Sequence, residues 1–150
     1  DVAAGAYIEL KKASEPGMVE IDYRRRRPVR EWVRVAVIRE GRLTFEMHKQ
    51  LVGCEYDELM VVAEYNSGEI ERAWNAAEDK GYPVTQVLYD IFPELSKLNP
   101  QGTVHAKTLY SAVNVIRRLP PGPIFAVLMQ DMAFLPVGDN YWLFTQSGSL

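Results

Sequence analysis

The stretch from Trp32 to His48 constrains the fold most, because apolar residues alternate on both sides of Glu40-Gly41. Period-two alternation marks strands, and Glu-Gly resembles the Asp-Gly pair that favours a two-residue hairpin turn. That turn sets a register in which Ile38 faces Leu43, Ala36 faces Phe45 and Arg34 faces Met47. Trp32 extends this face, which places it in the expected core. Val33, Val35 and Val37 form the other face, opposite His48, Glu46 and Thr44. The first strand is therefore more easily buried on both sides than the second.

Upstream, Val19, Ile21 and Tyr23 alternate with Glu20 and Asp22 as in a half-buried strand, and Pro28 interrupts any ladder after it. Downstream the period lengthens. Leu59 to Ala63 suits either a helical turn or a buried strand. Asn66 and Glu69 have capping-box spacing, and Ile70, Ala73, Trp74 and Ala77 form a helical stripe closed by Gly81. Trp74 on that stripe is a second expected core residue.

Pro83 opens a second helix with Val84, Val87, Leu88 and Ile91 on one face, ended or bent by Pro93. Leu109, Ala112, Val113 and Ile116 mark a third, stopped by Pro120-Pro121-Gly122. The continuous apolar run from Ile124 to Met129 reads as a buried strand. Phe134–Val137 and Tyr141–Phe144 flank Gly138-Asp139-Asn140, a second hairpin signal.

Strands, then helices, then strands favour an α+β fold over alternating βαβ units. The expectation is one domain over residues 1–150, with antiparallel hairpins at both ends and about three amphipathic helices between them. At 47% hydrophobic and 25% charged residues the composition is that of an ordinary globular domain. No apolar run approaches the ~20 residues that cross a bilayer. The first residue is Asp1, so a fragment or processed product of a longer chain is expected. The lone Cys54 excludes an intrachain disulfide and a multi-cysteine zinc site, and suggests an intracellular, reducing compartment.

Charge is segregated. Between Arg24 and Arg42 lie eight arginines against Glu31 and Glu40, a balance of +6. Between Glu55 and Glu94 lie ten carboxylates against Arg72 and Lys80, a balance of −8. The two regions either meet within the fold, stand as solvated faces, or serve docking. Docking makes Arg24, Arg25, Arg26, Arg27 and Arg30 partner-binding residues, because a guanidinium fork binds carboxylates bidentately. Tyr141 and Trp142 are adjacent in a strand and point to opposite faces, which offers one ring to a partner. The function this favours is a non-enzymatic interaction or assembly domain, binding a protein or a second copy of itself and needing no cofactor. The alternative is nucleic-acid binding, with the arginines on phosphates and Tyr23 and Trp32 stacking on bases. The acidic net charge of −3 and the lack of any RNA-recognition, KH or zinc-finger signature weigh against it.

An enzyme reading rests on Cys54, which follows Gly53 and precedes a helix expected near Glu55. Its order, with a strand after Gly122-Pro123 and a hairpin through Tyr141-Trp142, loosely resembles that of papain-like peptidases. The resemblance implies Cys54 as nucleophile, with His105 as the least implausible base, or a catalytically inactive relative. The sequence departs from the pattern at Glu55, Asp57 and Glu58, which oppose a thiolate. It departs again near Asp139-Asn140-Tyr141, where the base histidine has no counterpart. The resemblance therefore assigns no family. Neither His48 nor His105 sits in a metal-ligand motif, and no Walker, zincin or nucleophile-elbow motif occurs.

Overall fold

A computed structural model describes residues 7–24, 30–51, 58–64 and 68–145. Among these, eight strands form three small sheets and four helices lie between them, so the fold is α+β with strands at both ends. Strands β1 (Tyr7–Lys12) and β2 (Val19–Arg24) make a two-stranded antiparallel hairpin. Strands β3 (Arg30–Arg39), β4 (Arg42–Leu51) and β5 (Val61–Ala63) form a sheet ordered β4-β3-β5. Helices α1 (Gly68–Lys80), α2 (Val84–Ser96), α3 (Ala106–Ile116) and α4 (Pro121–Gln130) follow. The third sheet joins β6 (Val104–His105), β8 (Tyr141–Phe144) and β7 (Phe134–Gly138) in that order.

The β3–β4 hairpin has the register read from its turn: Ile38 pairs with Leu43, Ala36 with Phe45 and Arg34 with Met47. Glu40 (φ 52°) and Gly41 (φ 74°) both take left-handed backbone, the mirror-image turn whose twist matches antiparallel strands. Ala36 and Phe45 pack into the main core with Leu88, Phe92, Leu109 and Ile124. Val33, Val35 and Val37 are buried on the other face in a second cluster with Val62. At the far end of the core, Phe134 and Phe144 stack at 5.2 Å and both lie within 6 Å of Phe92.

Residues 61–63 resolve the ambiguity of the middle segment as a strand, parallel to β3. Its outer edge is closed by hydroxyls of α3. The Val61 N–H donates to Ser111 Oγ (2.9 Å), and that hydroxyl donates back to the Val61 carbonyl (3.1 Å). Thr108 Oγ1 donates to the Leu59 carbonyl at 2.8 Å. A side chain thus replaces the missing neighbouring strand, one way to protect a sheet edge.

Four expectations need correction. Ile124–Met129 is helix α4, not a strand, and Pro120-Pro121-Gly122 opens it rather than merely ending α3. Proline suits a first helical turn because its missing N–H would be unpaired there anyway. Of the two outcomes expected at Pro93, ending α2 is excluded, since the helix continues through it to Ser96. Burial of Ile91, Phe92 and Leu95 around it outweighs the lost backbone bond. Trp32 is 60% exposed rather than core. Trp74 is only half-buried, with Arg118 over its ring. Asn66 and the capping box lie outside the described residues. No described helix is long and apolar enough to cross a membrane.

Candidate interaction surface

In the β1–β2 hairpin the pairs Ile8–Tyr23, Leu10–Ile21 and Lys12–Val19 share one face, and Glu9–Asp22 and Lys11–Glu20 share the other. The element is therefore amphipathic, yet its apolar face is uncovered. Leu10 is 66% and Ile21 68% exposed, and Ile8, Met18 and Val19 are each more than half exposed. Between Ile8 and Tyr23 no side chain is buried.

The backbone of this hairpin has a definite handedness of bonding. The Ala13 N–H donates to the Met18 carbonyl (3.2 Å), while the Met18 N–H turns to the Glu15 carbonyl (3.3 Å). Ala13–Met18 therefore occupies a bonded position of the ladder, with one of its two bonds made, next to the loop that contains Gly17 (φ 81°). Bonded and non-bonded pairs alternate along an antiparallel ladder. Ile8, Leu10 and Lys12 therefore direct their backbone groups away from β2, along the outer edge of β1. Val19, Ile21 and Tyr23 do the same on β2, where the Tyr23 N–H is taken by Asp22 Oδ1 at 2.8 Å. On the polar face Lys11 Nζ pairs with Glu9 Oε2 at 3.3 Å.

The arginine-rich segment divides into two parts. Its distal part reaches the acidic region within the fold. Arg34 Nη1 donates to the Glu58 carbonyl (2.8 Å), Arg39 lies 3.9 Å from Glu64, and Arg42 lies 3.6 Å from Glu94. Arg39 also grips Glu46 bidentately at 2.9 and 3.1 Å, and His48 Nε2 lies 2.7 Å from the same carboxylate. The Arg39 bonds, followed by that of His48, hold the Glu46 carboxyl below the ordinary carboxylate range. In the proximal part, Arg24 ends β2, Arg30 is exposed at the start of β3, and Arg25, Arg26 and Arg27 lie outside the described residues.

The remaining sequence candidates are drawn into the fold. Trp142, 7% exposed, is a core residue and presents no ring surface to a partner. Tyr141 is half-buried, its ring edge-on to His105 at 4.9 Å. His105 caps α3, with Nδ1 accepting the Lys107 N–H at 3.0 Å. Cys54 lies outside the described residues, and α4 occupies the place where the papain-like order requires a strand. Among the described residues no group of three metal-ligating side chains converges.

A cleft of about 580 Å³ between the β3–β4 turn and helices α1 and α2 holds Arg42, Lys80, Asp90 and Glu94. Its charged heads are already engaged: Arg42 with Glu94, Gln86 with Asp90, and Lys80 over the Tyr82 ring.

Sequence reasoning missed a second apolar surface, on α4 and β7. Phe125, Met129, Met132, Leu135 and Val137 are exposed there, Met129 by 75%. The available signal was the continuous apolar run itself, too long in apolar residues for a helix with only one buried face. No family model, curated protein or solved structure matches this chain.

Proposed function

We propose that this chain is a non-enzymatic assembly domain whose contact element is the β1–β2 hairpin, continued by the basic residues from Arg24 to Arg30. The uncovered apolar face of Ile8, Leu10, Val19 and Ile21 carries the reading. A two-stranded hairpin is marginal in water and needs a third strand or another layer against its apolar face. Covering side chains of this size contributes about 1.5–3 kcal/mol each. A partner's surface meets that need, and acidic groups on it suit the guanidinium forks of the segment that follows the hairpin in sequence. Arg34, Arg39 and Arg42 contact the chain's own acidic region, so this reading draws on the proximal arginines instead.

Molar mass from light scattering, in low and high salt, tests this reading. Association above the monomer is expected, abolished by Ile21→Asp while the thermal unfolding of the helical body stays unchanged. Replacing Arg24 to Arg27 by Ser should weaken it and remove most of its salt dependence. Equal mass for the wild type and Ile21→Asp at every concentration would take the apolar face of the hairpin out of the contact.

One observation favours a second reading. Trp32 and Tyr23 are both exposed and flank the arginine run, as the stacking rings of a single-stranded nucleic-acid platform do. A mass increase seen only with a short oligonucleotide, falling steeply with salt, would put that reading first.

A further inference from the structure

We infer that the surface which the β1 edge accepts is the β1 edge of a second copy of this chain, paired antiparallel about a two-fold axis at Leu10. The inference rests on the hairpin being the contact element and adds the occupant and its register.

Three observations lead to it. The outward backbone groups of β1 belong to Ile8, Leu10 and Lys12, as the bonded Ala13–Met18 pair dictates. An antiparallel two-fold at Leu10 sets Leu10 against Leu10 and Ile8 against Lys12 of the partner subunit, so every outward donor of these residues meets an outward acceptor. No proline interrupts β1.

Charge then selects this register. Within the hairpin Glu9 stands opposite Asp22, a like-charged cross-strand pair, and is paired with Lys11 of its own strand, while Lys11 stands opposite Glu20. The two-fold places Lys11 of the partner subunit on the other side of Glu9, and repeats the contact by symmetry. Glu9 and Lys11 face each other there as a non-bonded pair, the type in which side chains approach most closely.

The β2 edge lacks these properties. A two-fold at Ile21 would bring Glu20 against Asp22 twice, and the Tyr23 N–H is already taken by Asp22. The product is a four-stranded sheet β2-β1-β1-β2 in which the apolar faces of both copies coincide. That doubled face bears Ile8, Leu10 and Ile21 from each copy.

Charge variants of the full chain test the edge separately from the face. Sedimentation equilibrium should show a dimer, and amide exchange should show the Leu10 N–H protected only in it. Lys11→Glu sets acid against acid twice and should weaken the dimer on the order of tenfold. The exchange Glu9→Lys with Lys11→Glu restores both the two-fold contacts and one favourable pair inside each hairpin, so it should return the wild-type affinity. A monomer throughout, a dimer whose Leu10 amide exchanges as in the monomer, or a double variant no tighter than Lys11→Glu would each overturn the inference. In the last two cases Ile21→Asp, which alters the face on β2 and not the β1 edge, still decides the assembly reading, whereas a monomer throughout overturns self-assembly as well.

Discussion

The chain contains two antiparallel hairpins in succession, β1–β2 and β3–β4, built from the same period-two pattern and put to opposite use. In β3–β4 the Ala36–Phe45 face belongs to the main core and meets helices α1 and α2, and the Val33–Val35–Val37 face is closed as well. In β1–β2 the pairs Leu10–Ile21 and Ile8–Tyr23 are equally apolar, yet they remain exposed. Alternation specifies that a strand has an apolar face; it does not specify what covers that face. The β3–β4 hairpin carries its cover within the chain, in β5 and the helices that follow. The β1–β2 hairpin has no such neighbour among the described residues, and that difference separates the folding core from the surface proposed for assembly.

The largest effect expected from breaking this comparison lies in matched truncations. Phe45→Ala removes a ring from the main core and should cost about 3–5 kcal/mol of unfolding free energy. Leu10→Ala removes a side chain that is mostly in water and should change the stability of the monomer by no more than about 0.5 kcal/mol. Urea unfolding of both variants at dilution checks the pair. A Leu10→Ala loss near that of Phe45→Ala would mean that the hairpin packs on its own chain.

A smaller effect sharpens the same contrast at the sheet edges. The β5 edge is closed by Ser111, whereas the β1 edge directs Ile8, Leu10 and Lys12 outward. Ser111→Ala withdraws the partner of both the Val61 N–H and its carbonyl, and should cost about 1–3 kcal/mol. Faster amide exchange at Val61, with α3 otherwise intact, is the accompanying readout. Unchanged exchange would show that water replaces the hydroxyl without loss.

How much of this was legible in the sequence depended on whether a local signal settled the outcome. Glu40-Gly41 settled the β3–β4 register, because a two-residue turn leaves no freedom to slip. Gly81 and Pro83 likewise bounded their helices. Helix α4 was hidden because its outer residues, Phe125 and Met129, are as apolar as its buried Ile124 and Leu128, which erases the 3.6-residue period. Strand β1 was missed because its six residues join β2 through a loop without a two-residue turn signal.

Two of the three tryptophans show the limit for the candidate surface. Trp142 and Trp32 sit in equally convincing strands, but only the layer packed on each strand decides that the first is core and the second exposed. The arginine run was visible from composition. That Arg34, Arg39 and Arg42 turn inward to the acidic region depends on tertiary contacts no sequence spacing encodes.

The smallest expected effect concerns pH and again separates the hairpins, since the carboxylate of Glu46 on β4 is tied to Arg39 and His48. Its folded-state pKa is lowered, first by the Arg39 hydrogen bond and then by that of His48. A carboxyl lowered in this way stabilises the fold fully above its unfolded pKa, about 4.3 for a free glutamate, and loses that contribution as pH falls through the lower folded value. Glu46→Gln should therefore be less stable than wild type at neutral pH, by no more than about 1 kcal/mol for so exposed a cluster. The gap should close on acidification through the range below the ordinary carboxylate value, because the wild-type Glu46 is then neutral as well. Urea midpoints of the two proteins across that range measure it. A gap of constant size would mean that Glu46 acts through the shape of its packing against Arg39 and not through its charge.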